Sequence, residues 1–205
     1  EAITAGGDSL IHIWNLKSGT KTTLDGHAGK GHAVAIRGLA ITARVLNSSA
    51  MADAAADSLD FIRRELTVDG RLLATSRNGQ SRLNAYLDDH AYLLDAVLEL
   101  LQTRFSTAHL DYAIWLADCL LEHFEDRDNG GFWFTSHDHE PLLHRPKPMA
   151  DDAMPSGNGI AAFALARLGW LLGELRYLDA AERTLRAGWQ GMQEFPHGHC
   201  SLLEA

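Results

Sequence analysis

The sequence predicts a mainly α-helical fold, a partial α/α toroid behind a short N-terminal β-hairpin segment. Two kinds of helical run alternate along the chain. Runs that are apolar nearly all round cover residues 33–46, 87–103 and 157–172, and amphipathic runs cover residues 51–66, 108–124 and 175–194. The first kind is typical of buried helices and the second of helices with one face in solvent. Their repeat of about 60 residues fits a helical hairpin plus a loop, which predicts an inner and an outer ring of helices.

The first 32 residues differ in kind from the rest and are predicted to form a short β-hairpin or meander. Polar and apolar residues alternate between residues 10 and 15, so that Ile11 and Ile13 would share one face of a strand. The segment resembles one blade of a WD-repeat β-propeller at Gly7-Asp8, Ile13-Trp14-Asn15 and Gly26-His27. A propeller needs several blades packed on one another, so residues 1–32 are interpreted as an appended hairpin or the remnant of a fusion.

Residues 33–205 are predicted to form one helical domain. They contain fewer helical hairpins than a closed toroid needs, so the arc is expected to be incomplete. Its apolar flanks would then face solvent unless another segment or chain covers them. A protein partner over the open edge of the arc is therefore one expectation.

Composition argues against several kinds of partner and location. The 205-residue chain has a formal net charge of -9, whereas nucleic acids and anionic membranes both need a basic protein face. No apolar run reaches the roughly 18 residues of a membrane span, and the first residues lack the features of a signal peptide. Two cysteines, Cys119 and Cys200, are too few for a disulfide framework, so a cytoplasmic location is predicted.

Two pairs of carboxylates stand where buried helices are predicted to begin, Asp88 with Asp89 and Asp151 with Asp152. Acids at a helix start can simply cap it and complement its dipole, contributing about 0.5–2 kcal/mol each. Alternatively, the helix starts converge on one rim and the four acids face a common cavity. One acid could then keep a raised pKa and donate a proton while another stays ionised, which is acid–base catalysis without a metal or organic cofactor.

The candidate ligand-binding residues near these acids are Tyr86, His90, Tyr92, Arg145, Ser156 and Asn158. His90 and Tyr92 would line the same mouth as the acids, or His90 is a hydrogen-bonded structural histidine. Ser156 either caps a helix or stands at a helix start whose free amides bind an anion or hydroxyls. Arg145 either clamps a carboxylate or phosphate or pairs with the acids at 151 and 152.

Eleven histidines invite a metal-site hypothesis that their spacing does not support. Residues 137–144 and 197–200 contain metal-binding residue types without a recognised zinc spacing, so no metal is predicted.

Residues 132–134, Phe-Trp-Phe after two glycines, are predicted to form a short β-hairpin that packs on the helices. A stacking surface for a sugar is the alternative interpretation of these aromatic residues.

Six motifs occur in order within residues 36–203, at positions 36–40, 85–91, 129–132, 145–147, 151–158 and 195–197. In order and spacing they resemble the C-terminal part of the spermatogenesis-associated protein 20 family. The resemblance implies a six-hairpin glycosidase-like (α/α) barrel, a fold that glycosidases and sugar epimerases also have. The family's N-terminal thioredoxin-like domain is missing, and residues 28–32 replace its usual Trp-Asn-Gly.

These observations lead to one main functional hypothesis, a carbohydrate-related ligand-binding or catalytic domain with a small sugar or polyol as ligand. An alternative is a non-catalytic helical scaffold that docks a thioredoxin-like or other protein partner. A third is an incomplete fragment without activity of its own. Substitution of the acids separates the hypotheses, because caps affect stability whereas site residues affect ligand binding.

Overall fold

The computed structural model describes residues 2–5, 10–15, 20–25, 30–77, 80–140 and 142–205, and these are mainly helical. The chain divides into two compact units. The first contains residues 1–85 and 99–110, and the second contains residues 86–98 and 111–205. The domain boundary expected between residues 32 and 33 stays a prediction.

The first unit begins with a three-stranded antiparallel sheet. Its strands are β1 (Ala2–Ala5), β2 (Leu10–Asn15) and β3 (Thr20–Asp25), in the order β1-β2-β3. Ala2 pairs with Trp14, and Leu10 pairs with Asp25. The predicted meander is therefore confirmed at the level of the backbone. The Gly7-Asp8 and Gly26-His27 motifs lie outside the described residues, and the WD-repeat resemblance stays a prediction.

A helical hairpin follows, formed by α1 (Lys30–Leu46) and α2 (Ser49–Glu65). Ser48 caps α2 by accepting a hydrogen bond from the backbone N–H of Met51. Burial of α1 on both sides was expected, and this prediction is wrong. Its buried residues form one stripe that includes Ile36 and Ala40, whereas Val45 is 73% exposed. The helix packs on α2 along that stripe, and Val34 and Leu46 are exposed like Val45.

A second small antiparallel sheet follows α2 in the first unit. It consists of β4 (Thr67–Val68), β5 (Arg71–Arg77) and β6 (Gln80–Asn84), paired antiparallel in that order. Asp69 and Gly70 both have positive φ, 49° and 74°, and make the tight turn between β4 and β5. The repeat of about 60 residues predicted a loop after this helical hairpin, and the structure pairs part of that loop into strands.

Helices α3 (Leu87–Thr103) and α4 (Thr107–His123) come next, followed after a long loop by α5 (Gly157–Leu172) and α6 (Leu175–Glu194). A 3-10 turn (Pro196–Gly198) leads into the short helix α7 (Cys200–Glu204). The predicted bounds of α3, α5 and α6 are confirmed. Gly173, at φ 71°, ends α5 in the left-handed conformation that favours glycine after a helix.

The core of the second unit is built from the inward faces of these helices. The large side chains that are less than 2% exposed there are Leu87, Leu94, Leu116, Leu120, Phe124, Phe132, Leu165 and Tyr177. Helix α3 is buried at every position from His90 to Leu101, in agreement with its apolar sequence. None of the helices in the described part of the chain has the length and apolar character that a membrane span needs.

Candidate functional site

The starts of α3 and α5 meet in the second unit. A methyl group added to Gly157, the first residue of α5, would overlap the carboxylate of Asp88 and would lie 3.1 Å from Leu87 Cγ. The Tyr92 hydroxyl, one turn into α3, donates a 2.8 Å hydrogen bond to the carbonyl of Pro155. The two helix starts are therefore in contact, and Asp88 lies half-buried where they meet.

Asp89 caps its own helix. Its Oδ2 accepts a 2.9 Å hydrogen bond from the backbone N–H of Tyr86, the residue just before α3. This hydrogen bond is one of the two that make up a capping box. In it, the side chain of the third helical residue accepts from the backbone N–H of the N-cap residue, which has no acceptor within the helix. The capping interpretation therefore accounts for the geometry of Asp89.

Replacing Asp89 with alanine is expected to lower the free energy of unfolding by about 1 kcal/mol, the usual value of a lost cap. Urea unfolding followed by circular dichroism measures the change. The matched control is Asp111→Ala, an exposed acid within α4, which is expected to change stability by less than about 0.5 kcal/mol. Equal effects of the two substitutions would contradict the capping role.

Asp151 is engaged in the connection between α5 and α7. Its carboxylate accepts hydrogen bonds from the backbone N–H of Ser156 (2.8 Å), from the backbone N–H of Ser201 (2.9 Å) and from the Ser201 hydroxyl. Burial alone would raise the pKa of Asp151, but these hydrogen bonds outweigh it and hold the pKa below its usual range. Asp151 is therefore held ionised, which does not suit a proton donor at neutral pH.

Asp152 faces away from this network. Its side chain is exposed, and its backbone N–H donates to the carbonyl of Met154 at 3.1 Å. Neighbours in sequence, Asp151 and Asp152 thus have different environments. Burial, followed by the negative charges of Asp88, Asp151 and Asp95, raises the pKa of the Tyr92 hydroxyl.

His90 and Tyr86 belong to the same helix start. His90 is 2% exposed; its Nδ1 donates to the carbonyl of Tyr86 at 3.0 Å, and its ring lies 4.9 Å from that of Phe124. These contacts fit a hydrogen-bonded structural histidine. The half-buried Tyr86 ring stacks on Phe134 in a nearly parallel arrangement, with 4.9 Å between the centroids. One aromatic face is thereby held rigidly beside the start of α3.

Ser156 and Asn158 position the backbone around them. Ser156 is the N-cap of α5, and its hydroxyl accepts a 3.0 Å hydrogen bond from the N–H of Gly159. Asn158 is fully buried. Its Oδ1 accepts from the Phe132 N–H at 2.6 Å, and its Nδ2 donates to the carbonyls of Phe132 (3.0 Å) and Pro148 (2.8 Å). These hydrogen bonds connect α5 to the loop before it.

The β-hairpin predicted at residues 132–134 is confirmed only at Phe132. The described residues form a single antiparallel bridge there, between Glu125 and Phe132. The Trp133 N–H belongs to this bridge and donates to the Phe124 carbonyl at 2.9 Å. Phe132 also pairs with the Asn158 amide, and the Phe134 N–H donates to the Pro146 carbonyl at 2.8 Å. A side chain of α5 thus takes the place of a neighbouring strand.

Arg145 and Lys147 flank the indole of Trp133. Arg145 lies 5.1 Å and Lys147 lies 5.0 Å from the ring centroid. The expected pairing of Arg145 with Asp151 or Asp152 is wrong, since the guanidinium donates to the Thr135 carbonyl at 2.5 Å and to a nitrogen of His137. These contacts place the 145–147 segment along the aromatic loop.

His137 has a defined tautomer in this arrangement. Its Nδ1 accepts from Arg145 at 3.1 Å, so the proton lies on Nε2, which donates to the Glu125 carbonyl at 3.1 Å. Burial, followed by the positive charge of Arg145, holds the pKa of His137 below its usual range.

The His137 ring is therefore expected to titrate below the ordinary value of about 6.5, as measured by NMR. Because the folded pKa is lowered, its contribution to stability is present above about pH 6.5 and is lost as the pH falls through the folded pKa. Arg145→Gln removes the charge and the donor, and is expected to move the His137 pKa upward. An unchanged midpoint in that variant would contradict the assignment.

Sequence reasoning missed two buried carboxylates, Glu125 and Asp126, each 6% exposed. Glu125 pairs with Arg183 at 2.5 Å, and Asp126 pairs with Lys147 at 2.7 Å. Burial raises the pKa of Asp126, but Lys147 and Asn129 donate to it and hold the pKa below its usual range. Their position between the end of α4 and the Asn-Gly-Gly turn at residues 129–131 was the available signal. Across the described ranges, no group of three or more His, Cys, Asp or Glu side chains could hold a metal ion.

The fold class of the chain follows from its similarity to solved structures. A cellobiose 2-epimerase from Bacillus thermoamylovorans superposes with a TM-score of 0.63 at 13% identity, over 78% of this chain and 44% of that chain. A family 105 glycoside hydrolase from C. acetobutylicum gives 0.60 at 14% identity over 77% and 47%, and a sugar epimerase from a ruminal bacterium gives 0.62 at 12% over 85% and 46%. The chain thus has the predicted fold, a partial α/α toroid of the six-hairpin kind.

Curated relatives are consistent with the motif resemblance. The chain is 26% identical over 172 residues to spermatogenesis-associated protein 20 of Homo sapiens and 27% identical over the same length to that of Rattus norvegicus. Each match covers 78% of this chain and 22% of the relative, so the chain spans about a fifth of their length. The predicted resemblance to these proteins is confirmed. No family model matches the chain.

Proposed function

We propose that the chain is part of a carbohydrate-binding domain whose ligand, a small sugar or polyol, contacts the starts of α3 and α5. The meeting of these two helix starts around the half-buried Asp88 is the observation that carries the proposal. The fold likeness to a cellobiose 2-epimerase, a glycoside hydrolase and a sugar epimerase supports it. Fold alone does not fix function, so the site must be tested directly.

Within this proposal, the predicted site residues have two kinds of role. Asp88 accepts hydrogen bonds from ligand hydroxyls, and Tyr86 offers a rigid ring edge beside it. The positioning residues that hold the two helix starts in place are Asp89, His90, Tyr92, Asp151, Ser156 and Asn158. Arg145 instead positions the aromatic loop through Thr135 and His137.

A catalytic form of the proposal needs a proton carrier. We assign that role to Asp88, with the exposed Asp152 as the second carboxylate, because Asp151 is held ionised by its hydrogen bonds. The chemistry would be acid–base chemistry on a sugar, carried by these carboxylates.

The cytoplasmic location inferred from the cysteine content stays a prediction.

Thermal unfolding with a panel of mono- and disaccharides tests the proposal. A ligand that binds only the folded state raises the melting temperature, and at 100 times its Kd it adds about 2.7 kcal/mol. We expect one sugar to raise the melting temperature of the wild type and of the control Asp111→Asn, but not that of Asp88→Asn. A melt that no sugar changes, or an Asp88→Asn variant that responds like the wild type, would overturn the proposal.

A scaffold role is the second candidate, and one surface favours it. An apolar groove of about 610 Å³ runs along α6 and α7, where Trp189 is 59% and Leu203 56% exposed. Large apolar side chains gathered in one exposed groove are typical of protein interaction sites. Titration with a purified thioredoxin-like protein, followed by tryptophan fluorescence, is expected to show binding that Trp189→Ser abolishes.

In the thermal unfolding experiment, a broad melt without cooperativity would instead favour the hypothesis of an incomplete fragment.

A further inference from the structure

Residues 198–204 contain α7 and dock on α5 and α6, and we call them the α7 strap. Ser201 and Leu202, at the centre of the strap, are buried. We propose that the α7 strap positions the candidate site at the starts of α3 and α5, with Ser201 as its positioning residue, so that ligand binding and docking of the strap stabilise each other. This inference rests on the proposed function and adds to it an element that controls the site.

The strap depends on its docking contacts for its shape. Helix α7 has only five residues, Cys200–Glu204, and isolated helices shorter than about 12 residues are marginal in water. Release of the strap would therefore also unfold the helix, which gives the strap two states, docked and released. Elements of this kind open locally at a lower free energy than the whole domain.

Two glycines make the close fit of the docked strap possible. A methyl group added to Gly159 of α5 would overlap the Ser201 hydroxyl and would lie 2.9 Å from the carbonyl carbon of Ser201. A methyl group added to Gly188 of α6 would lie 2.6 Å from Leu202 Cδ1. A larger residue at position 159 must therefore move the strap, because the backbone of Ser201 cannot rotate away as a side chain can.

Asp151 connects the strap to the start of α5. Its backbone N–H donates to the Gly198 carbonyl at 2.7 Å, and its carboxylate accepts from the backbone N–H (2.9 Å) and the hydroxyl of Ser201. The same carboxylate accepts from the N–H of Ser156, the N-cap of α5, at 2.8 Å. The docked strap thus holds Asp151 in place, and Asp151 holds the cap of α5.

The cap of α5 in turn belongs to the candidate site. Pro155, directly before the cap, accepts a hydrogen bond from the Tyr92 hydroxyl at 2.8 Å, and Gly157, directly after it, lies against Asp88. Movement of the cap therefore changes both contacts between the helix starts. A ligand held by Asp88 and the docked strap favour the same arrangement of these residues, and thermodynamic linkage requires that each stabilises the other.

Gly159→Ala tests the connection without any ligand. Alanine is a good helix former, so α5 persists while the added methyl group displaces the strap. Amide exchange at residues 200–204 and at the amides of Ser156 and Ile160 is expected to rise at least about tenfold, as overpacking of a close contact implies. The matched control is Gly38→Ala within α1, where an added methyl group meets nothing within 4 Å, and it should leave both segments unchanged.

Ser201→Ala is the milder second variant, because it removes only the hydroxyl that donates to Asp151. It is expected to accelerate exchange in the same two segments, and it decides the question if Gly159→Ala does not fold. Faster exchange at residues 200–204 with wild-type exchange at Ser156 and Ile160 would overturn the inference, because the strap would then be released without any effect on the cap of α5.

The coupling to ligand binding has its own measurement, with glucose and cellobiose as probes. A sugar that raises the melting temperature of the wild type is expected to slow amide exchange at residues 200–204, although the strap does not belong to the site. The same sugar should bind to Ser201→Ala at least about fivefold more weakly, the lower end of typical coupling between sites. The control Cys200→Ala changes an exposed neighbour on the strap and should bind like the wild type.

These measurements separate the inference from the proposed function. If Asp88→Asn loses sugar binding while Ser201→Ala binds like the wild type and the sugar leaves exchange at residues 200–204 unchanged, this inference fails and the proposed function stands. If neither the two probes nor any other sugar of the panel binds to the wild type, both fail.

Discussion

Asn158→Ala is expected to lower the free energy of unfolding by about 3 kcal/mol. The substitution removes three hydrogen bonds from a fully buried position and leaves the N–H and carbonyl of Phe132 without their partner. A buried polar group left unsatisfied costs about 1–3 kcal/mol, and the missing amide also leaves a small cavity. The loop before α5 should loosen together with the loss of stability.

Urea unfolding of the wild type and the variant measures this effect, and hydrogen exchange at residues 130–134 locates it. The matched control is Asn129→Ala, an exposed asparagine in the same loop whose loss removes only contacts to Asp126. It is expected to cost less than about 1 kcal/mol. If Asn158→Ala cost no more than Asn129→Ala, the role of Asn158 as the partner of the loop backbone would be wrong.

Asp151→Ala is expected to have an effect of similar size, about 3 kcal/mol, because its carboxylate accepts three hydrogen bonds and two of the donors are on α7. Without that carboxylate, α7 should detach from the start of α5, and amide exchange at residues 200–204 should rise. Asp152→Ala is the natural control, since its exposed side chain is the immediate neighbour. It is expected to change stability by less than about 0.5 kcal/mol.

The pH dependence gives this prediction a second measurement. The pKa of Asp151 is lowered in the folded state, so its contribution is present above the unfolded pKa of about 3.9 and is lost as the pH falls through the folded pKa. The difference in stability between the wild type and Asp151→Asn should therefore shrink below about pH 4. A difference that stays constant down to pH 2 would show that the carboxylate is not the group responsible.

Much of the helical framework could be predicted because its signals are local. The α5 helix has a serine cap at Ser156 and a glycine at 173 just beyond its end, and its bounds follow from these two residues. The start of α3 is likewise marked locally, by the acids Asp88 and Asp89 in its first turn. The capping interpretation of the acids also rested on position alone, and it accounts for the geometry of Asp89.

The remaining features depend on partners that lie far away in the sequence. Nothing around Asn158 indicates that its amide pairs with Phe132, and nothing around Arg145 indicates that it turns to Thr135. The small extent of the hairpin at residues 132–134 has the same origin, because the sequence contains the apolar residues of a strand but does not show which group pairs with them. Burial of α1 was overestimated because an apolar helix is covered only where another element packs on it.

The pairing of Asn158 with Phe132 has a consequence for the order of folding. The two residues are 26 positions apart, and the loop backbone around Phe132 obtains its partner only when α5 is in place. Contacts of this kind form after local helices, because the chain between them must first be closed. The loop is therefore expected to take its shape after the transition state, and Asn158→Ala should accelerate unfolding while leaving the refolding rate nearly unchanged.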